Sequence, residues 1–88
     1  MVERKLKIIN KLGLHARPAA LLVETASKYD AEVHLIKDGN EINAKSIMGV
    51  LMLAAEQGSE LTFRAKGSQE KEAIEAITKL LKDKFFEE

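Results

Sequence analysis

The chain predicts an α+β fold of two layers, a sheet covered by helices on one face only. Three observations carry this expectation. Several segments alternate apolar and polar residues, the period of a half-buried strand. Others gather apolar residues on a stripe at helical spacing. The segments follow one another in the order β-α-β-β-α-β-α, and strands with one polar face leave one side of the sheet to solvent.

Residues 2–9 (VERKLKII) set Leu6 and Ile8 on one side and Lys5 and Lys7 on the other, a first strand. Residues 16–28 align Ala19, Leu22, Val23 and Ala26 on one helical stripe, with Lys28 in the last turn, where a cation suits the dipole. Residues 31–37 (AEVHLIK) alternate again, with Val33 and Leu35 inward. Asp38-Gly39-Asn40 makes a hairpin turn, because Gly39 can take a positive φ, and residues 41–44 return as a short strand. Residues 47–55 (IMGVLMLAA) form a short helix. Residues 60–66 (ELTFRAK) form a last strand with Leu61, Phe63 and Ala65 inward, bracketed by Gly58 and Gly67. Ser68 is the candidate cap of a final helix from 69 to about 84, with Glu70 and Glu72 in its first turn. Ala73, Ile74, Ile77, Leu80 and Leu81 form its buried stripe, and Glu75 and Lys79 make an i,i+4 pair. Phe85 and Phe86 are expected to pin its end, Phe86 the more exposed.

The composition narrows the function. Lys plus Arg and Asp plus Glu both total 14, so no net charge argues for nucleic acid as a partner. Cys is absent, which excludes disulfides, and two histidines without Cys offer no metal site. The first residues lack the apolar core of a signal peptide, and no apolar run approaches the roughly 18 residues of a membrane span. The expectation is one domain over residues 1–88, cytoplasmic and monomeric, with no cofactor, metal or membrane partner. Locally the charge is uneven. Residues 1–17 carry Arg4, Lys5, Lys7, Lys11 and Arg17 against Glu3 alone. The strand lysines are most simply a solvated face.

The segment Gly13-Leu14-His15-Ala16-Arg17-Pro18-Ala19 holds the chemistry. Gly13 permits a sharp turn out of the first strand. Pro18 is tolerated only in a first helical turn, where its missing N–H costs no intrahelical bond. The helix then starts near residue 16 and His15 is its N-cap. There the next amides, of Ala16 and Arg17, have no helical acceptor and form an anion site. Arg17 adds a guanidinium able to bind phosphate oxygens in pairs. A phosphoryl group accepted by a neutral His15 imidazole would be held by this end. A histidine beside a helix start can also be ordinary capping or surface chemistry, and spacing alone leaves the two open.

GLHARPA, then ASKYDAEV, then KSIMGV together resemble the histidine-containing phosphocarrier (HPr) family of the bacterial phosphoenolpyruvate-dependent sugar phosphotransferase system. The resemblance covers essentially the whole chain. It implies an open-faced sandwich with a four-stranded antiparallel sheet and three helices. It implies phosphorylation of His15 at Nδ1 with help from Arg17, donation by enzyme I and delivery to enzyme IIA domains. Two positions depart from the sugar-branch pattern. Leu12 stands where a small polar residue often contacts the phosphate, and Ala20 stands where some members have Thr. Asn10-Lys11-Leu12-Gly13 is similar to nitrogen-branch carriers, so the pathway stays open.

Ser46 precedes the 47–55 helix and is at least its N-cap. In family members with KSIMGV the matching serine is phosphorylated by an HPr kinase/phosphorylase, which the resemblance makes a possible partner. Val50, Leu53 and Ala54 are the core candidates of that helix. Ile47, Met48 and Leu51 would then stay partly exposed, either as a docking patch for changing partners or as the flank of an unusually buried helix. His34 reads as a surface histidine on the polar side of its strand. Two other functions compete with the carrier: an acyl-phosphate hydrolase using Arg17, which lacks a residue to position water, and a regulatory module read through phospho-Ser46.

Overall fold

A computed structural model describes residues 1–86. The elements are β1 (Val2–Lys7), α1 (Ala16–Ser27), β2 (Glu32–Lys37), β3 (Asn40–Asn43), α2 (Ile47–Met52), β4 (Glu60–Lys66) and α3 (Glu70–Lys82), followed by a short turn, Lys84–Phe86. The four strands form one antiparallel sheet in the order β1-β4-β2-β3. The expected order of elements and the two-layer α+β architecture are both present.

Period-two alternation builds the inner face. Leu6 pairs with Leu61, Val33 with Ala65, and Leu35 stands between Phe63 and Ile42. Against these pack Ala19, Leu22 and Ala26 of α1 and Ala73, Ile74, Ile77, Leu80 and Leu81 of α3, all buried. Burying each large aliphatic or aromatic side chain contributes about 1.5–3 kcal/mol, so this interface dominates stability. Arg4 also faces inward, at the edge of the sheet. Its guanidinium donates to Thr78 Oγ1 at 2.9 Å and pairs with Glu75 at 3.2 Å, tying β1 to α3.

The open face is polar. Arg64 bonds Glu3 at 2.8 Å and lies 3.7 Å from Glu41, which also meets His34 Nδ1 at 2.7 Å. The hydrogen bond to Glu3 holds the Arg64 guanidinium above its ordinary pKa. At one corner Glu70 is held below the ordinary carboxylate range by the Met1 ammonium and by the Gly67 amide. Lys5 and Lys7 point to solvent on this open face, as their alternation suggests.

Several boundaries and pairings differ from the sequence expectation. β1 stops at Lys7, and Ile8, although buried, lies beyond it. β2 begins at Glu32 and β3 at Asn40, because the hairpin loop is only Asp38-Gly39, both at positive φ. Lys28 caps α1 rather than sitting in its last turn. Ser68 does not cap α3. Its hydroxyl bonds the Asp30 carboxylate, and Gln69 becomes the N-cap, with its amide on the Asp30 carbonyl at 3.0 Å. Glu75 and Lys79 do not pair, since Glu75 is taken by Arg4 and Lys79 by Asp83. After α3 the backbone makes a left-handed turn that buries Phe85 and leaves Phe86 exposed.

The α2 reading needs the largest correction. The helix ends at Met52, with Leu53 as its C-cap. Ala54 takes φ +49 and is exposed, so it stops the helix and lies outside the core. Ala55 is buried in its stead, Leu53 is half-buried, and Val50 is the fully buried residue of α2. A residue with a Cβ in the left-handed region costs roughly 1–2 kcal/mol, which glycine avoids. Ala54→Gly is therefore expected to raise the unfolding free energy by about 0.5–1 kcal/mol after the added freedom of the unfolded chain. Urea denaturation measures this; a loss of stability would show that Ala54 is unstrained.

Candidate phosphoryl-acceptor site

The site begins where β1 leaves the sheet. Ile8 still holds to the neighbouring loop: its amide donates to Ser59 O at 2.9 Å, and its carbonyl accepts from Gly58 N at 2.7 Å. The chain then turns through Asn10–Gly13. Gly13 has φ +68, and a Cβ there would run into the Ala55 carbonyl oxygen and meet Glu56 Cα at 3.0 Å. The absence of a side chain lets the two backbones touch. Leu14 N–H consequently donates to Ala55 O at 2.8 Å, and the Leu14 side chain is buried beside it.

His15 is the next residue and is the N-cap of α1, with an extended backbone (φ −83°, ψ −171°). Its carbonyl accepts the first helical bond, from Ala19 N at 3.0 Å. Pro18 stands at the third helical position, where it has no N–H to leave unpaired. The Ala16 and Arg17 amides therefore open the helix with no acceptor inside it. His15 is half-buried, whereas Ala16 and Arg17 are exposed. The Ala16 and Arg17 amides and the Arg17 side chain thus follow His15 directly at the head of a twelve-residue helix.

A shallow depression of about 410 Å³ adjoins His15. Leu12, Leu14, Ala16, Leu51, Ala54 and Glu56 line it with His15. Leu12 is 72% exposed, so the departure from a polar residue places an apolar rim beside the imidazole. Leu51 brings α2 to the same depression. Ile47 and Met48 lie four and three residues before it and so share its side of the helix. Ile47 is 38% and Met48 64% exposed, while Leu51 is half-buried. Met52, at 79% exposure, adds to the exposed apolar side chains of α2, and a helix apolar at nearly every position does not show from sequence which face is outward.

Ser46 is exposed at the N-cap of α2 and its Oγ accepts from Gly49 N at 3.2 Å, an ordinary cap. His34 is half-buried beside Glu41 on the open face of the sheet, apart from the helix end. Among the described residues no group of His, Asp and Glu is arranged to hold a metal, and no helix is long and apolar enough to cross a membrane.

The model of the family described as "PTS HPr component phosphorylation site" matches residues 2–83. The chain belongs to the HPr phosphocarrier family. It is 47% identical over 88 residues to phosphocarrier protein HPr of Treponema pallidum, covering all of both chains. The crystal structure of HPr from Thermoanaerobacter tengcongensis superposes with a TM-score of 0.97 at 49% identity, covering 100% of this chain and 99% of that one. The Crh structure of Bacillus subtilis, a protein described as one of catabolite repression, superposes at 0.76 with 44% identity and coverage of 96% and 97%. That structure is a dimer with a swapped domain, so a monomer is not general in the family.

Gly13 permits the close approach of the β1–α1 loop to Ala55. Gly13→Ala is expected to cost about 2 kcal/mol or more, because a Cβ in the left-handed region meets backbone that cannot yield. Chemical denaturation tests it, and a variant as stable as wild type would show that the Gly13–Ala55 approach is not required.

Proposed function

We propose that His15 accepts a phosphoryl group from enzyme I and passes it to enzyme IIA domains, the chain acting as a stoichiometric carrier without turnover of its own. The placement of His15 as the N-cap of α1 carries this reading. In the forward step the His15 Nδ1 lone pair attacks phosphorus. A P–N bond forms, the bond from phosphorus to the donor breaks, and the donor keeps the electron pair. The phosphoryl oxygens then lie near the Ala16 and Arg17 amides, and the Arg17 guanidinium adds charge-assisted bonds. Delivery reverses the step onto the next protein. A shallow, open site suits a carrier, because each partner must reach the phosphoryl group directly. Every copy holds its own His15, Ala16 and Arg17, so transfer is proposed to need only one chain.

Ile47, Met48 and Leu51 are proposed as the docking surface for these partners. Their exposure next to the depression supports it. Leu12 leaves the phosphoryl group to the helix end and Arg17, and it makes a nitrogen-branch role the alternative to sugar transport.

Incubation with phosphoenolpyruvate and enzyme I should give about one acid-labile phosphate per chain. His15→Ala should take none while His34→Ala takes as much as wild type. Arg17→Ala should slow labelling about tenfold or more, the scale of losing one hydrogen bond to a charged group, about 1.5–3 kcal/mol. Equal labelling of His15→Ala contradicts the proposal. Many equivalents of acetyl phosphate hydrolysed by the protein alone would instead reveal an enzyme.

Ser46 is proposed as a regulatory phosphorylation site. A phosphate there adds about 1.5–2 negative charges at a helix start, which the helix tolerates, beside the apolar surface that partners must cover. Inhibition would come from repulsion at that surface and not from unfolding. An HPr kinase should label wild type and not Ser46→Ala, and the phosphorylated form should accept phosphate from enzyme I more slowly with an unchanged melting temperature. Label that persists in Ser46→Ala removes the assignment.

A further inference from the structure

The turn between β1 and α1 contains a polar side chain that its sequence position does not explain. Asn10 is only 1% exposed, and among the described residues it and Thr78 are the buried polar ones. A surface turn has no need of a buried carboxamide, and burial of one is unfavourable unless it forms hydrogen bonds. Asn10 Nδ2 donates to the Gly13 carbonyl at 2.8 Å, and the Asn10 carbonyl accepts from Gly13 N–H at 3.3 Å. The Gly13 carbonyl belongs to the same peptide unit as the Leu14 N–H, which donates to Ala55 O at 2.8 Å. A peptide unit is planar, so bonds at both of its ends fix the whole plane. That plane is the last but one before His15.

We infer that Asn10 is a positioning residue for phosphoryl transfer, its buried carboxamide orienting the Gly13–Leu14 peptide and through it holding His15 at the head of α1. At 1% exposure Asn10 is too buried to meet a docking protein, so its effect passes through the peptide it holds. Without its donor the Gly13 carbonyl keeps no side-chain partner in a buried position, and the plane can rotate about its Ala55 end. His15 then moves against the Ala16 and Arg17 amides. Displacements of about 1 Å can cost up to a hundredfold in a reaction that depends on alignment. The inference rests on His15 being the acceptor.

The test compares wild type, Asn10→Ala and Ile77→Ala, each as the full chain, at a temperature where all are folded by circular dichroism. Ile77 is buried in α3, and its truncation costs at least as much stability without touching the turn. With enzyme I and phosphoenolpyruvate, Asn10→Ala should lower kcat about tenfold at a KM within twofold of wild type. Ile77→Ala should leave both within twofold. In ¹⁵N spectra of the unphosphorylated proteins, Asn10→Ala should shift the His15 ring and the Ala16 and Arg17 amides, and Ile77→Ala should not. An unchanged kcat for Asn10→Ala, or an equal loss in Ile77→Ala, overturns the inference. If Asn10→Ala does not fold, Asn10→Ser serves, since its shorter hydroxyl fills part of the space but does not reach the Gly13 carbonyl. A wild type that takes no label refutes His15 as acceptor instead; the hold of Asn10 on His15 then stands or falls on the spectra.

Discussion

The close approach of the Gly13 backbone to the Ala55 carbonyl is the contact on which the site depends. It joins the loop that leaves β1 to the loop that follows α2. Leu14 and Ile8 are buried on either side of the turn and supply the apolar energy that holds it in place. The hydrogen bond across the contact contributes on the order of 1 kcal/mol and, more importantly, sets direction. Three consequences follow from it. α1 starts where Pro18 can be accommodated, His15 becomes the N-cap, and Leu51 of α2 is carried to the same depression. His15 and the apolar surface beside it are thus one structure, made by two loops that touch.

The chemistry of an HPr phosphocarrier asks for opposed properties. The acceptor must stabilise an added dianion, yet release it to the next protein. A helix N-terminus with one guanidinium offers modest stabilisation, on the order of the 0.3–1 kcal/mol of an exposed dipole interaction together with charge-assisted bonds. A closed pocket would hold the group more tightly and exclude the partner. The polar open face of the sheet, where Arg64 pairs with Glu3 and Glu41 and His34 hydrogen-bonds Glu41, lies on the side of the sheet away from the helices.

Much of this was legible in the residues. Period-two alternation located the strands and their inward faces, since a buried face leaves no choice of register. Pro18 located the start of α1, because only a first turn accepts it. Other features depend on contacts between distant segments and leave no local sign. Ala54 ends α2 in a conformation that glycine would ordinarily mark. Ser68 has the chemistry of a cap but is taken by Asp30, which comes from another part of the chain. Glu75 has the spacing of a helix pair but meets Arg4 across the layers. Asn10 looks like a turn residue until the burial of its carboxamide is seen.

The most direct measurement is the ¹⁵N–¹H spectrum of the protein before and after phosphorylation. If the head of α1 holds the phosphoryl group, the Ala16 and Arg17 amide protons move downfield by more than any others, and the open sheet face around His34 stays unchanged. Unmoved Ala16 and Arg17 signals, or the largest changes at His34, would place the phosphate elsewhere and contradict the assignment.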